Sequence, residues 1–260
     1  MTKPFASAAL ALAVVAGGVW YLTKPAPSVE DPLLGAAFAE DGDYDASLVT
    51  EMVQGNPDSP VEVVEYASFT CPHCATFHAQ VYPRFKADYI DTGLIRFVYR
   101  EAYFDRPGLW ASMVARCGGE MRYFGITKLL FERQSDWIGG NDAQTIIAGL
   151  RNIGKIAGLS DADLDACMTD GDTAAALVGW YETNLEALDV DRFGTPSFVI
   201  AGEYHSNMSY SEMSELIDAA LVEAGIDPEA PPAQEQTDDT GTDEAPAADL
   251  ADDTPATDGN

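Results

Sequence analysis

The feature that most constrains this chain is a pair of cysteines placed where an apolar segment meets an amphipathic one. The sequence reads VEVVEYASFTCPHCATFH from Val61 to His78, and two residues separate Cys71 from Cys74. The VEVVEY part is short, β-branched and almost continuously apolar, which is typical of a central strand buried on both faces. The two cysteines are therefore predicted to lie where a buried strand ends and a helix begins.

The segment after the cysteines has helical periodicity. A helix is predicted over residues 74–90, because apolar side chains recur every four positions from Phe77 to Phe85. Pro83 lies inside this segment and is expected to kink the helix, since proline removes a backbone hydrogen bond. The LIRFVY sequence at residues 94–99 follows a DTG turn and predicts a second strand, which completes a βαβ unit.

The pattern then changes twice along the chain. Residues 107–188 are predicted to be helical, and the SDAD sequence at Ser160 resembles a helix-start capping box. Residues 195–204 return to strand character, and a last helix starts near Ser209. The order predicts an α/β domain over residues 43–226 that is split by an inserted all-helical segment.

The charge of the chain excludes one class of partner. The 260 residues carry a formal net charge of −29, which would repel phosphates and opposes nucleic-acid binding. Part of the excess lies in residues 227–260, which contain no Lys, Arg or aromatic residue. Such a segment cannot bury enough apolar surface to offset its ordering entropy, so a disordered acidic tail is predicted.

The N-terminus predicts export. Lys3 precedes an uncharged run over residues 5–22, and a helix of that length spans about 27 Å, close to the thickness of a bilayer core. Residues 1–26 are interpreted either as a cleaved signal peptide or as an uncleaved membrane anchor, and residues 27–42 as a linker. With Lys3 on the inner side, the rest of the chain would lie in the oxidising periplasm, either free or tethered to the inner membrane.

The spacing of the two cysteines favours redox chemistry. At a helix N-terminus, free backbone N–H groups and the helix dipole favour the thiolate of Cys71 over its thiol and lower the pKa. Cys74, one turn further on, is placed to attack a mixed disulfide formed by Cys71. Pro72 suits a first helical position, and His73 can add positive charge or a hydrogen-bond donor. These effects stabilise the reduced form, so the pair is expected to be oxidising.

Two other interpretations of the cysteine pair stay open at this point. A metal site could use Cys71, Cys74 and His78, although a zinc clip usually needs a fourth ligand and the chain has no second close cysteine pair. The second interpretation is a purely structural disulfide between Cys71 and Cys74, although closing so short a loop adds little to the stability of a fold.

The segment VEYASFTCPHCATFH, together with the distant GTPSFVIAG at residues 194–202, resembles the DsbA family of thiol–disulfide oxidoreductases. The resemblance covers roughly residues 43–225. It implies a thioredoxin-like fold with a helical insertion, in agreement with the order of predicted elements. It also implies that Cys71 is the exposed nucleophile and Cys74 the buried resolving thiol.

The same resemblance implies a substrate-binding element and an internal acid–base group. The Thr195–Pro196 bond would be cis and lie beside the sulfurs, leaving the backbone of Thr195 free to pair with an extended substrate. Glu65 would lie buried under the active site, with a raised pKa, and accept the proton of Cys74. The alternative for Glu65 is an exposed position at the end of its strand.

The two remaining cysteines, Cys117 and Cys167, are fifty positions apart in the helical block. An even number of cysteines in an oxidising compartment makes a structural disulfide reasonable, and closing so long a loop would stabilise the fold by about 4 kcal/mol. Two separate buried thiols are the alternative.

The sequence therefore predicts an exported enzyme that introduces disulfide bonds into folding proteins with free thiols. We expect it to be a monomer, to need no cofactor or metal, to bind no nucleic acid, and to be reoxidised by a membrane partner, the last point being implied by the family alone. The alternatives are a disulfide isomerase or reductase, or a periplasmic metal-binding protein that uses Cys71, Cys74 and His78.

Overall fold

The structure is a computed structural model that describes residues 44–140 and 142–229. The strands of this part of the chain are β1 Met52–Gly55, β2 Glu62–Ala67, β3 Arg96–Glu101, β4 Ser197–Ile200 and β5 Glu203–Ser206. Its α-helices are α1 Pro72–Gln80, α2 Tyr82–Phe85, α3 Arg106–Cys117, α4 Gly119–Glu132, α5 Gln134–Ile138, α6 Ala143–Ile156, α7 Asp161–Met168, α8 Gly171–Ala187 and α9 Tyr210–Glu223. The predicted signal or anchor, the linker and nearly all of the acidic tail lie outside the described residues.

The strands form one mixed sheet in the order β1-β3-β2-β4-β5. β2 lies at the centre, parallel to β3 and antiparallel to β4, and the connection from β2 to β3 runs through α1. The six helices α3–α8 lie between β3 and β4 in the sequence, and α9 follows β5. The predicted fold class, an α/β fold with an all-helical insertion, is therefore confirmed.

The central strand β2 is buried on both faces, as its apolar sequence predicts. Val63 and Ala67 belong to the larger core, on the side of α1, whereas Val64 and Tyr66 face a smaller core on the other side of the sheet. Because side chains alternate along a strand, Glu65 points to the same face as Val63 and Ala67. The alternation of side chains along β2 thus places the carboxylate of Glu65 inside the larger core.

The helical segment after the cysteines is divided in three, and not merely kinked. α1 ends at Gln80, Val81 has an irregular backbone (φ −109°, ψ −49°), and Pro83 lies in the first turn of α2. A π-helical turn, Lys86–Ile90, then completes the segment. Proline has no amide hydrogen to donate to the preceding turn, so the chain restarts a helix with Pro83 at its beginning.

The first strand was missed by the sequence analysis. β1 has four residues and pairs antiparallel with the edge of β3, with Met52 opposite Tyr99. Its sequence, MVQG, is too short and too mixed to show an alternation. This segment becomes a strand because it pairs with the edge of β3. That pairing depends on the tertiary structure and not on the local sequence.

The helical insertion is built around α3, whose residues from Gly108 to Ala115 are all buried. A disulfide joins Cys117, the last residue of α3, to Cys167 in α7, with Cα atoms 5.7 Å apart. The bridge lies within the insertion and does not connect it to the sheet. Ser160 begins α7 with the capping box that its sequence predicts.

Replacing both Cys117 and Cys167 with alanine should lower the free energy of unfolding by about 4 kcal/mol, because the unfolded chain regains the entropy of a fifty-residue loop. Urea titration followed by circular dichroism measures this loss. Wild-type protein with an intact bridge is the reference, and thiol–disulfide exchange at Cys71 should survive. An unchanged unfolding free energy would show that the bridge contributes nothing to stability.

Candidate active site

Cys71 is the residue immediately before α1, with an extended backbone (φ −79°, ψ 120°) and no side-chain cap on the helix. Pro72 takes the first helical position, where an amide hydrogen would have no partner in the helix. The next two amides, those of His73 and Cys74, lie close enough to lower the pKa of the Cys71 thiol. The strand-to-helix junction therefore directs backbone donors and the positive end of the helix dipole at one half-buried thiol.

These donors change the acidity of Cys71. A hydrogen bond from the Cys74 thiol contributes most, and together with the Thr195 hydroxyl and the two amides it outweighs burial, so that the pKa of Cys71 falls from 9.0 to about 5. At neutral pH, Cys71 is a thiolate.

Cys74 has the opposite character. Its side chain is fully buried one turn into α1. Burial raises the pKa of the Cys74 thiol far above its ordinary value, and the hydrogen bond to Cys71, the charge of Cys71 and the charge of Glu65 raise it further. Cys74 therefore keeps its proton unless a neighbouring base removes it.

The Thr195–Pro196 peptide bond is cis, as the family resemblance implies. It directly precedes β4, and the Thr195 carbonyl oxygen accepts a hydrogen bond from the Cys71 thiol at 3.3 Å. This carbonyl is thus occupied in the dithiol. A thiolate has no hydrogen to donate, so ionisation of Cys71 frees the Thr195 carbonyl for another donor.

Glu65 is completely buried, and its neighbours across the sheet are Tyr99 and Phe198. One carboxylate oxygen, Oε1, lies 2.9 Å from Nε2 of His78 in α1. The other, Oε2, has no hydrogen-bond partner among the residues that the structure describes. The interpretation of Glu65 as an exposed strand end is therefore wrong.

His78 does not join the cysteines in a metal site. Its Nε2 atom faces Glu65, and nowhere in residues 44–140 or 142–229 do three His, Cys, Asp or Glu side chains form a group that could hold a metal ion. His73 is exposed, and its backbone amide helps to lower the pKa of Cys71, which agrees with the predicted donor near the thiolate; a contribution from the charge of its side chain stays a prediction.

The helical insertion supplies contacts that sequence reasoning missed. The side chain of Gln134, at the start of α5, donates hydrogen bonds to the carbonyl oxygens of Phe69 and Cys71, at 2.7 and 3.0 Å. Asp105, the N-cap of α3, accepts a hydrogen bond from Thr70 at 2.8 Å. Both contacts join residues far apart in the sequence, so no local pattern could reveal them.

A buried strand that ends in a Cys-Pro-His-Cys helix start, beside a cis-proline that begins an antiparallel strand, defines a thioredoxin-fold protein with a two-cysteine site. The family model described as thioredoxin matches residues 47–219. The chain belongs to this thioredoxin family and, within it, to the DsbA-like proteins.

Individual proteins agree with this assignment. A Rickettsia bellii protein with the provisional name protein-disulfide oxidoreductase is 35% identical over 175 residues, which are 67% of this chain and 66% of the relative. Disulfide bond formation protein D of Bacillus subtilis is 29% identical over 96 residues, 35% of this chain and 42% of the relative. The crystal structure of Wolbachia pipientis alpha-DsbA1 superimposes with a TM-score of 0.61 at 26% identity, covering 67% of this chain and 92% of that one. The match thus spans slightly less than two thirds of the Rickettsia protein.

Thiolate absorbance near 240 nm tests the predicted difference in pKa between Cys71 and Cys74. In the reduced protein, one thiolate should appear with a midpoint at about pH 5, from Cys71, and Cys74 should remain protonated well into the alkaline range. The Cys71→Ser variant is the matched control and should lose the acidic transition. A midpoint near 9 in the wild type would contradict the assigned geometry of the helix start.

Proposed function

We propose that this protein is an exported thiol–disulfide oxidoreductase that donates a Cys71–Cys74 disulfide to folding proteins. The observation that carries the proposal is the contrast between a half-buried Cys71 with a pKa of about 5 and a fully buried Cys74 that holds its proton. Strong stabilisation of the Cys71 thiolate favours the reduced protein and therefore makes the disulfide oxidising. This poise favours an oxidase over the alternative, a disulfide isomerase or reductase.

The proposed reaction consists of two successive thiol–disulfide exchanges. A substrate thiolate attacks the Cys71 sulfur of the disulfide, a substrate–Cys71 bond forms, and Cys74 leaves as a thiolate that takes up a proton. A second substrate thiolate then attacks the substrate sulfur of this mixed disulfide, and Cys71 leaves as the stable thiolate. The substrate is oxidised by two electrons, and the enzyme ends as the dithiol.

Glu65 is proposed to handle the proton of Cys74. Its carboxylate is fully buried, and its charge acts on the Cys74 thiol. In the first exchange a protonated Glu65 gives its proton to the departing Cys74, and during reoxidation the carboxylate takes it back. The unpartnered Oε2 atom is the one available for this transfer.

Substrate is proposed to bind along the cis Thr195–Pro196 segment. Main-chain pairing there would recognise an extended peptide with little regard for its sequence, as a general oxidant of unfolded chains requires. In the disulfide form Cys71 has no hydrogen to donate, so the Thr195 carbonyl that accepts from the Cys71 thiol in the reduced protein would be free as an acceptor next to the reacting sulfur.

Export to the periplasm, a membrane-bound reoxidant and a monomeric state complete the proposal. The names of the Rickettsia and Bacillus relatives refer to protein disulfides and to disulfide bond formation, which supports folding proteins as substrates. No helix within the described ranges is long and apolar enough to cross a membrane. The segment proposed as signal or anchor, residues 5–22, lies outside those ranges.

Two single substitutions test the order of attack. Cys71→Ser should abolish oxidation of a reduced peptide, because the attacked sulfur is missing. Cys74→Ser should instead accumulate a covalent adduct between Cys71 and a peptide disulfide, because the Cys71 thiolate can still attack the disulfide and displace one peptide thiolate, whereas the Cys74 thiol that would release the adduct is missing. Non-reducing gel electrophoresis with mass spectrometry detects the adducts, and adducts through Cys74 in the Cys71→Ser protein would reverse the assignment.

The lowered pKa of Cys71 also links stability to pH. The thiolate is stabilised in the fold, so its contribution is complete above pH 9, the ordinary value, and is lost as the pH falls through about 5. Between pH 5 and 8 the unfolding free energy of the reduced wild type should therefore rise relative to that of reduced Cys71→Ser. Denaturant titrations at several pH values measure the difference, and parallel curves for the two proteins would contradict an oxidising poise.

A further inference from the structure

We infer that His78 is a proton relay that connects buried Glu65 with solvent in the cavity between α1 and α4. The inference rests on the proposed function, because it assigns the route by which the proton of Cys74 enters and leaves the protein. His78 touches neither sulfur and acts through Glu65, so it is a positioning residue rather than a catalytic one.

The need for a relay follows from burial. Glu65 and Cys74 are both 0% exposed, so neither exchanges protons directly with water. Each catalytic cycle nevertheless changes the protonation of Cys74. Within the described residues, His78 is the one side chain that hydrogen-bonds to Glu65, at 2.9 Å from Nε2 to Oε1. Its side chain is 8% exposed, which makes it the link between the buried carboxylate and the outside.

The imidazole is held in a fixed orientation. It stacks on Phe131 of α4 with ring centroids 4.2 Å apart and on Tyr82 of α2 at 4.7 Å. These stacking contacts restrain the ring while its Nε2 atom bonds to Glu65. An imidazole can both bind and release a proton near neutral pH, so a fixed ring with one nitrogen on the carboxylate can pass protons without moving.

His78 also lines a cavity of about 580 Å³. Most of its wall is apolar, and it lies between one face of α1 and the facing side of α4, where Gly125 adds no side chain. A cavity of this size admits water and small solutes. Protons delivered there can reach His78 while Cys71 is covered by a bound substrate.

The polar groups around His78 do not compete for its bond to Glu65. The phenol of Tyr82 donates to Gln54 at 2.5 Å, and the side chains of Lys86 and Lys128 pair with Asp91 and Glu132 respectively. Among the described residues, the titratable and polar groups from the elements packed around His78 are Gln54, Glu65, Tyr82, Lys86, Tyr99, Thr127, Lys128 and Glu132.

The relay works in both directions. When Cys74 leaves as a thiolate, Glu65 gives it a proton through Oε2, His78 gives its own proton to Oε1, and water in the cavity restores the proton on the imidazole. During reoxidation the three transfers run in reverse, and one proton leaves through the cavity. No electron moves in these steps.

His78→Gln separates the relay from a structural role. Glutamine places an amide donor near the position of Nε2, so it keeps the hydrogen bond to Glu65 but cannot carry a proton. We expect reduction of the oxidised variant by dithiothreitol, followed by acid quench and gel shift, to slow by about tenfold at pH 6–7. The Cys71 absorbance midpoint should stay in place, and His205→Gln, which changes a histidine on β5, should react like the wild type.

Chemical rescue gives a second, independent measurement. His78→Ala opens the cavity toward Glu65, and added imidazole should restore its rate in a saturable manner while leaving the wild-type rate unchanged. Wild-type rates for His78→Gln, or an imidazole-insensitive His78→Ala, would overturn the relay. Failure of the proposed function would look different, since the wild-type disulfide would then react with dithiothreitol but would not oxidise a peptide dithiol.

Discussion

The donor groups that stabilise the Cys71 thiolate are the interaction on which the rest of the structure depends. They reach the sulfur because only four residues separate the end of β2 from α1 and because Pro72 starts the helix without needing a partner for its nitrogen. A charge held at a helix start is stabilised only where the donors are fixed before it forms. Much of the remaining architecture can be understood as the means by which this junction is kept in place.

Burying Glu65 in the centre of the sheet is costly, since a carboxylate loses its hydration there. The fold reduces that cost with a single close partner, His78, and surrounds the pair with aromatic rings. One oxygen is left without a partner in the described chain, which a purely structural carboxylate would not retain. Under the proposed function, this cost in stability is what keeps a base available to the buried Cys74 thiol.

The sequence was sufficient for the parts of this architecture that are local. The buried strand β2, the helix start at Cys71 and the capping box at Ser160 each follow from a pattern within a few residues. Strand β1 depends on an edge provided by β3, and the pairing of His78 with Glu65 depends on how a helix lies on a sheet. Neither feature can be predicted from the periodicity of a short sequence segment. For this reason the sequence suggests only a metal-ligand role for His78.

The helical insertion completes the site as well as covering it. Gln134 holds the carbonyl oxygens on both sides of Thr70, Asp105 holds the hydroxyl of Thr70 itself, and Phe131 covers the imidazole of His78. A thioredoxin-like sheet alone would leave the loop before α1 without these restraints. Because the Cys117–Cys167 bridge ties α3 to α7 within the insertion, it stabilises the body that carries these contacts without taking part in the exchange chemistry. The bridged cysteine pair thus supports the free pair, Cys71 and Cys74, through packing, and the two pairs have separate physical tasks.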